Sequence, residues 1–313
     1  MTKKDETTNM AASVRDRLKK LADKTSEDFS LLLVRYSIER LLFRLSKSKH
    51  KKRFVLKGAM LFHIWREEPH RPTRDVDLLG RGSPDETALA AIFGEVCATE
   101  VEDDGVDFVA DSVRAEAIRE GNAYRGVRVK LLGRLGGARI PLQIDVGFGD
   151  SIIPAPEMVE LPALLGHPAP RLSAYRRETV VAEKLHAIVD LGFANTRMKD
   201  YFDLWFLAAN FSFDGATLSE AIAATFSRRE TPVPQAVPTG LTEAFAGDAM
   251  KQSQWSGFLG RSSVEANLLQ LSEVVAEIGR FLAVPLEAAR REEILKMRWP
   301  AGGPWRDGGE VSG

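Results

Sequence analysis

Arg74-Asp-Val-Asp-Leu-Leu-Gly80 is the stretch on which the reading of this 313-residue chain turns. In an extended strand, residues two apart share a face. Val76 and Leu78 therefore point one way, while Asp75 and Asp77 point together the other way. Neighbouring carboxylates repel unless a cation neutralises them. Hard oxygen donors so placed suit Mg²⁺, which takes one or two carboxylates plus substrate phosphates. The competing reading is a solvated strand edge that holds nothing.

Two segments on either side bear on that choice. Downstream, Val127 to Leu135 and Ile140 to Phe148 read as strands joined by a Gly136-Gly137 turn. Ile140, Leu142, Ile144 and Val146 alternate, so Asp145 faces the opposite way, beside Gln143. If this strand neighbours the first, Asp145 can complete a three-carboxylate cluster able to hold two divalent ions; otherwise it is an outward residue on an amphipathic strand. Upstream, Leu56-Lys57-Gly58-Ala59-Met60 passes from an apolar strand through Gly58 into a predicted short helix ending at Trp65. A glycine lets backbone approach a ligand, and a helix N-terminus offers free N–H groups to phosphate.

The rest of the chain frames these strands. Ser26 is placed to cap a helix through Ser46, and Ser83 one that runs through Cys97. From Ser173 the pattern turns helical. At 100° per residue, Val180, Val181, Ala187, Ile188 and Leu191 lie within about 60° of Lys184, which puts an ammonium at the centre of an apolar stripe. Lys184 either snorkels to the rim or meets an anion in a cleft. His186 and Asp190 fall on the opposite side and read as solvent-facing. Arg197, Asp200 and Asp203 stand three apart on one helix face. That helix also carries Tyr201, Phe202, Trp205 and Phe206, so its acidic groups need a cationic partner, for which Lys184 is the candidate. His50, His63, His70 and His167 show no metal-ligand spacing. The chain divides into a basic helical segment 1–53, a core 54–150, a helical domain 151–298 with a Pro-rich loop at 231–240, and an irregular tail 299–313.

Composition removes whole classes. No apolar run exceeds seven residues (Ala88 to Gly94), against the roughly 20 that a membrane-spanning helix needs. The N-terminus shows no secretory pattern. The single Cys97 rules out an internal disulfide framework and any Cys-rich zinc site. A soluble protein of the cytoplasm is the expectation. The net charge of −1 conceals an asymmetry: residues 1–55 carry fifteen Lys/Arg against seven Asp/Glu, whereas Glu95 to Glu120 carries nine Asp/Glu and two Arg. The dense run Lys47, Lys49, Lys51, Lys52, Arg53 is either a polyanion footprint or a solvated helix end.

Four ordered motifs, Phe54-Val-Leu-Lys-Gly-Ala-Met-Leu-Phe-His-Ile-Trp65, Arg71-Pro-Thr-Arg-Asp-Val-Asp-Leu-Leu-Gly80, Val181-Ala-Glu-Lys-Leu-His-Ala187 and Arg197-Met-Lys-Asp-Tyr-Phe-Asp-Leu204, resemble the AbiEii/AbiGii toxin family over roughly residues 30 to 300. The resemblance implies an α+β fold, a DNA-polymerase-β-like nucleotidyltransferase core with a mixed sheet followed by a helical domain. It implies a toxin of a toxin–antitoxin or phage-defence system that transfers nucleotides from a nucleoside triphosphate to the 3′ end of tRNA, with a cognate antitoxin protein as partner. By similarity Asp75 and Asp77 are Mg²⁺ ligands, with Asp145 as the third carboxylate of the wider superfamily. Lys184 is the triphosphate contact, and one of Asp200 or Asp203 is the acidic residue of the last motif. Lys57, Gly58, Ala59 and Arg74 lie toward the nucleotide, and RNA is the partner expected for the basic N-terminal segment. One departure is visible. The superfamily carries a hydroxyl residue after the phosphate-loop glycine, whereas Gly58-Ala59-Met60 offers only backbone N–H. A non-catalytic nucleotide- or RNA-binding module on the same fold is the alternative.

Overall fold

The computed structural model describes residues 9–66, 71–120, 124–261 and 269–308. His70, Gly309 and the first eight residues of the basic segment lie outside these. The chain forms two compact units, Met1–Gly149 with Glu157–Ala174, and Asp150–Pro156 with Tyr175–Gly313.

The first unit is built on a seven-stranded mixed sheet. Its strands are β1 (Phe54–Lys57), β2 (Asp75–Gly80), β3 (Asp107–Glu120), β4 (Tyr124–Leu135), β5 (Ala138–Phe148), β6 (Glu157–Glu160) and β7 (Arg171–Ala174), in the order β3-β4-β5-β2-β1-β7-β6. β2 runs parallel to β5, and β1 parallel to β7; the other pairs are antiparallel. Alternation divides the sheet into two faces. Leu56, Val76, Leu78, Val127, Val129, Leu131, Leu142, Ile144 and Val146 are buried on one of them. Helices α2 (Phe29–Lys47) and α4 (Glu86–Cys97) lie against the sheet, with Phe93 of α4 and Phe54 of β1 in ring contact at 5.5 Å. The opposite face carries Asp75, Asp77, Arg128, Lys130, Gln143 and Asp145, all partly or fully exposed. β3 arises within the acidic stretch. A bulge between Val109 and Arg114 shifts its register, which interrupts the alternation that would betray a strand.

Two helix starts differ from expectation. Ser26 ends α1 (Met10–Thr25) with a positive φ of 58°, and Asp28 caps α2 by accepting from the Leu31 N–H. Likewise Asp85, not Ser83, caps α4, through the Ala88 N–H. In each case a carboxylate two residues further on takes the capping place, where its charge also complements the helix dipole.

The N-terminal excess of positive charge is partly internal. Arg40 and Arg44 are 1% and 7% exposed. Arg44 forks onto Asp104 at 2.7 and 3.1 Å, and Arg40 pairs with Glu39 at 2.6 Å while donating to the Pro168 carbonyl. Lys49 and His50 both meet Glu95. The surface footprint of this segment is therefore smaller than its sequence charge.

The second unit is mainly helical, with α5 (Arg177–Leu191), α6 (Met198–Asn210), α7 (Gly215–Arg228), α8 (Glu243–Gly247), α9 (Ala249–Arg261) and α10 (Leu271–Arg291). A three-stranded sheet joins β8 (Phe213–Asp214), β9 (Met297–Trp299) and β10 (Arg306–Asp307). Of the tail, Trp299 closes β9 and Arg306–Asp307 form β10, while residues 300–305 belong to neither helix nor strand. Trp299 is 1% exposed and donates to the Ala208 carbonyl, and Trp305 stacks on Phe281. Two aromatic anchors outweigh the glycines between them.

His186 is buried, contrary to its expected solvent exposure. Its Nδ1 accepts from Arg229 Nη1 at 3.1 Å, which leaves Nε2–H to donate to Thr231 Oγ1 at 2.9 Å. Burial, then the Arg229 charge, push its pKa down to about 4. Because the unfolded chain binds this proton more readily, stability must fall as pH drops from about 6.5 towards 4, by about 3 kcal/mol at most. Urea midpoints of wild type and His186→Gln at pH 7 and 4.5 test this. The variant is expected to show a smaller drop between the two pH values, and an equal drop would exclude the assignment.

Candidate active site

β2 lies between β5 and β1, and the registers set its neighbours. Asp77 stands opposite Asp145 on one side and Lys57 on the other, and Asp75 stands opposite Gln143. Asp75 is exposed and Asp77 half-buried. Their alternation with Val76 and Leu78 is the one read from the sequence, and both carboxylates face away from the apolar layer.

Gly58 is fitted to this arrangement. It has φ +73°, and a Cβ on it would fall 2.0 Å from Asp77 Oδ2. Glycine there supplies both the left-handed backbone and the room for the Asp77 carboxylate. The segment after it is a 3₁₀ turn, Gly58–Leu61, running into the single helical turn α3 (Phe62–Trp65). The expected helix N-terminus, with its dipole, is therefore replaced by a tight turn in which Ala59 and Met60 are buried. Arg74, immediately before β2, is exposed.

The three carboxylates do not form one metal-holding group. Asp145 is adjacent to Asp77 in the sheet, but Arg128 of β4 grips both of its oxygens, Nε to Oδ1 at 2.9 Å and Nη2 to Oδ2 at 2.8 Å. Among the described residues no set of three His, Cys, Asp or Glu side chains could share a metal ion. Asp75 and Asp77 are a donor pair of the kind Mg²⁺ accepts, and glycine at 58 lets the backbone come directly against the Asp77 carboxylate. Asp145, its oxygens spent on a guanidinium, does not fit that role. Arg128 went unread in the sequence, although the signal was there: counting back from the Gly136-Gly137 turn pairs it with Asp145.

In the helical unit the predicted residues come together. Lys184 Nζ lies 2.7 Å from Asp200 Oδ1 and 2.7 Å from Asp203 Oδ2, and Arg197 Nε lies 2.7 Å from Asp200 Oδ2. The two carboxylates are 1% and 0% exposed, and Lys184 only 13%. Lys184 thus meets an anion and does not snorkel to the rim. Burial alone would raise the Asp200 pKa, but Lys184 and Arg197 outweigh it and hold the carboxyl below its usual range.

The sequence profile of the AbiEii family, described as the nucleotidyl transferase toxin of type IV toxin–antitoxin systems, matches residues 40–278. Among solved structures the chain is similar to a candidate nucleotidyltransferase of H. pylori, at 15% identity over 85% of this chain and 97% of that one, with a TM-score of 0.46. It is also similar to JHP933 of Helicobacter pylori, at 15% identity over 81% of this chain and 88% of that one, with a TM-score of 0.45. No curated protein matches.

Substitutions at two places probe the geometry. Gly58→Ala must displace the Asp77 carboxylate and strain the turn, at a cost of about 1–3 kcal/mol, and is expected to weaken Mn²⁺ binding. Unchanged Mn²⁺ affinity would show that Asp77 needs no such space. Lys184→Met strands two buried carboxylates and should cost about 3–5 kcal/mol. Adding Asp200→Asn and Asp203→Asn should recover much of the loss in chemical denaturation, and the reverse would show that Lys184 acts through its packing alone.

Proposed function

This chain belongs to the AbiEii family of nucleotidyl transferase toxins of type IV toxin–antitoxin systems, and from that premise we propose that it transfers a nucleotide from a nucleoside triphosphate to the 3′ end of an RNA, tRNA foremost. The observation that carries the reading is the Asp75–Asp77 pair on the face of β2 turned away from the apolar layer, with the Gly58 backbone packed directly against the Asp77 carboxylate. We read the seven-stranded sheet as a DNA-polymerase-β-like core, and place the reaction in the cytoplasm. Among the described residues no helix is long and apolar enough to cross a membrane.

The residues divide the work by their chemistry. Asp75 and Asp77 would hold Mg²⁺, which supplies positive charge against the triphosphate when bound. The Gly58-Ala59 turn presents backbone N–H groups, and Lys57 and Arg74 add side-chain cations. Lys184 is assigned to the triphosphate, with Asp200 and Asp203 fixing the direction of its ammonium. A terminal hydroxyl of the acceptor bonds to the α-phosphorus as the bond to the bridging oxygen breaks. Pyrophosphate leaves, and the hydroxyl proton passes to solvent. Fixed cations suit this step because charge gathers on the leaving group.

The missing hydroxyl at Ala59 favours a second reading, a nucleotide- or RNA-binding module without the chemistry. One assay separates the two. Purified protein is incubated with total tRNA, Mg²⁺ and each α-labelled nucleoside triphosphate in turn, beside a folded Asp75→Asn/Asp77→Asn variant. Label on RNA is expected with wild type and a loss of at least a hundredfold with the variant. No label on any acceptor with any triphosphate would leave the binding module as the better reading.

A further inference from the structure

The pairing of Asp145 with Arg128 has a consequence for substrate. Arg128 spends Nε and one Nη2 proton on the two oxygens of Asp145, in fork-to-fork geometry. Gln143 Nε2 adds a longer contact of 3.4 Å to the same carboxylate. Three of the five guanidinium protons remain, and no hydrogen-bond acceptor takes them among the described residues. Glu116, which faces Arg128 across the β3–β4 ladder, is turned to Lys130 instead, at 2.6 Å. The Arg128 side chain is 32% exposed. Its cation is held by Asp145 and partly open, and among the described residues its remaining donors meet no acceptor.

The same face continues away from Asp77 as a run of cations. Lys130 is two residues along β4 from Arg128, and Arg134 of β4 stands opposite Arg139 of β5, all three exposed. From Asp145 to Arg139 the strand covers about 20 Å. Asp107 beside Arg134 and Glu116 beside Lys130 offset part of this charge, while Arg114 adds to it opposite Lys130.

We propose that Arg128 binds a phosphate oxyanion of the substrate, and that Asp145 is the positioning residue that holds its guanidinium and not a ligand of the metal. This rests on the nucleotidyl transfer reading for its substrate. Phosphate occurs both in the triphosphate and in the acceptor backbone. The cations that extend from Arg128 along β4 and β5 favour the acceptor, since a polynucleotide presents phosphates over such a distance and a single nucleotide does not.

The test uses the full chain as wild type, Arg128→Gln, Arg128→Lys, Asp145→Asn and Asp77→Asn, each checked by thermal melting. Three quantities are read: Mn²⁺ affinity by electron paramagnetic resonance, affinity for a non-hydrolysable triphosphate by calorimetry, and affinity for a single-stranded oligoribonucleotide by anisotropy over a range of NaCl. Arg128→Gln should weaken the oligoribonucleotide about tenfold and reduce the salt slope by about 0.7, with Mn²⁺ and triphosphate binding unchanged. Arg128→Lys, which keeps the charge and loses the fork, should restore the slope but not the full affinity. Asp145→Asn should weaken the oligoribonucleotide in the same direction and retain Mn²⁺, in contrast to Asp77→Asn. Loss of triphosphate binding alone in Arg128→Gln would support the oxyanion contact and assign it to the nucleotide. Unchanged affinity for both ligands, or loss of Mn²⁺ in Asp145→Asn, would overturn the proposal. A wild type that binds neither Mn²⁺ nor triphosphate would defeat the transfer reading separately, and the oligoribonucleotide arm would still decide for or against Arg128.

Discussion

The register of β2 is the constraint from which the site follows. Val76 and Leu78 are 0% and 1% exposed, so their side of the strand is committed to the apolar layer. A slip of one residue would send Asp75 and Asp77 inward and Val76 and Leu78 outward. Burying two carboxylates in the apolar layer is far costlier than any gain from a shifted ladder. With the register fixed, Asp77 can only stand between Lys57 and Asp145, and the chain leaving β1 must turn directly in front of its carboxylate. Gly58 satisfies that demand because any larger residue would occupy the carboxylate's own position. One hydrophobic alternation thus sets the direction of the acidic pair and its nearest neighbours.

Much of this was legible because it is local. The face of Asp75 and Asp77, the hairpin about Gly136-Gly137, the apolar stripe around Lys184 and the three-residue spacing of Arg197, Asp200 and Asp203 are all consequences of strand or helix period. What escaped was the choice among partners. Asp145 lay on the expected face of the expected strand, yet it had two neighbours in the sheet, a like charge at 77 and an opposite charge at 128. A guanidinium that meets both oxygens at once wins that contest over a second carboxylate. His186 escaped for the same reason: its position on α5 was right, but Arg229 and Thr231, over forty residues away in sequence, cover it. The helix starts at Asp28 and Asp85 were missed by two residues because serine and aspartate compete for one capping role.

Charge counts mislead wherever the fold takes charge inside. Arg40 and Arg44 belong to the basic segment by sequence and to the interior by structure. Arg44 with Asp104, and Lys184 with Asp200 and Asp203, show the same physics. Removing either partner from a buried pair leaves an uncompensated charge, while the intact pair adds little net stability because both ions were first stripped of water. Such pairs are better understood as fixing position. Two carboxylates at 2.7 Å leave the Lys184 ammonium little choice of direction.

Under the proposed function, the Gly58-Ala59-Met60 turn changes the means by which the triphosphate would be held. A hydroxyl residue after the glycine would contribute a directed side-chain donor. Here the side chains of Ala59 and Met60 are buried in the apolar interior, so the turn itself offers backbone N–H alone. Side-chain cations flank it in the chain, with Lys57 ending β1 immediately before the turn and Arg74 immediately preceding β2. Recognition shifts from a short neutral hydrogen bond towards charge. Charge acts over longer distances and discriminates geometry less sharply, and it is screened by salt as a hydroxyl contact is not. A site built this way depends on other groups to fix the angle of its substrate. The fork of Arg128 on Asp145 supplies such directionality on the same face of the sheet.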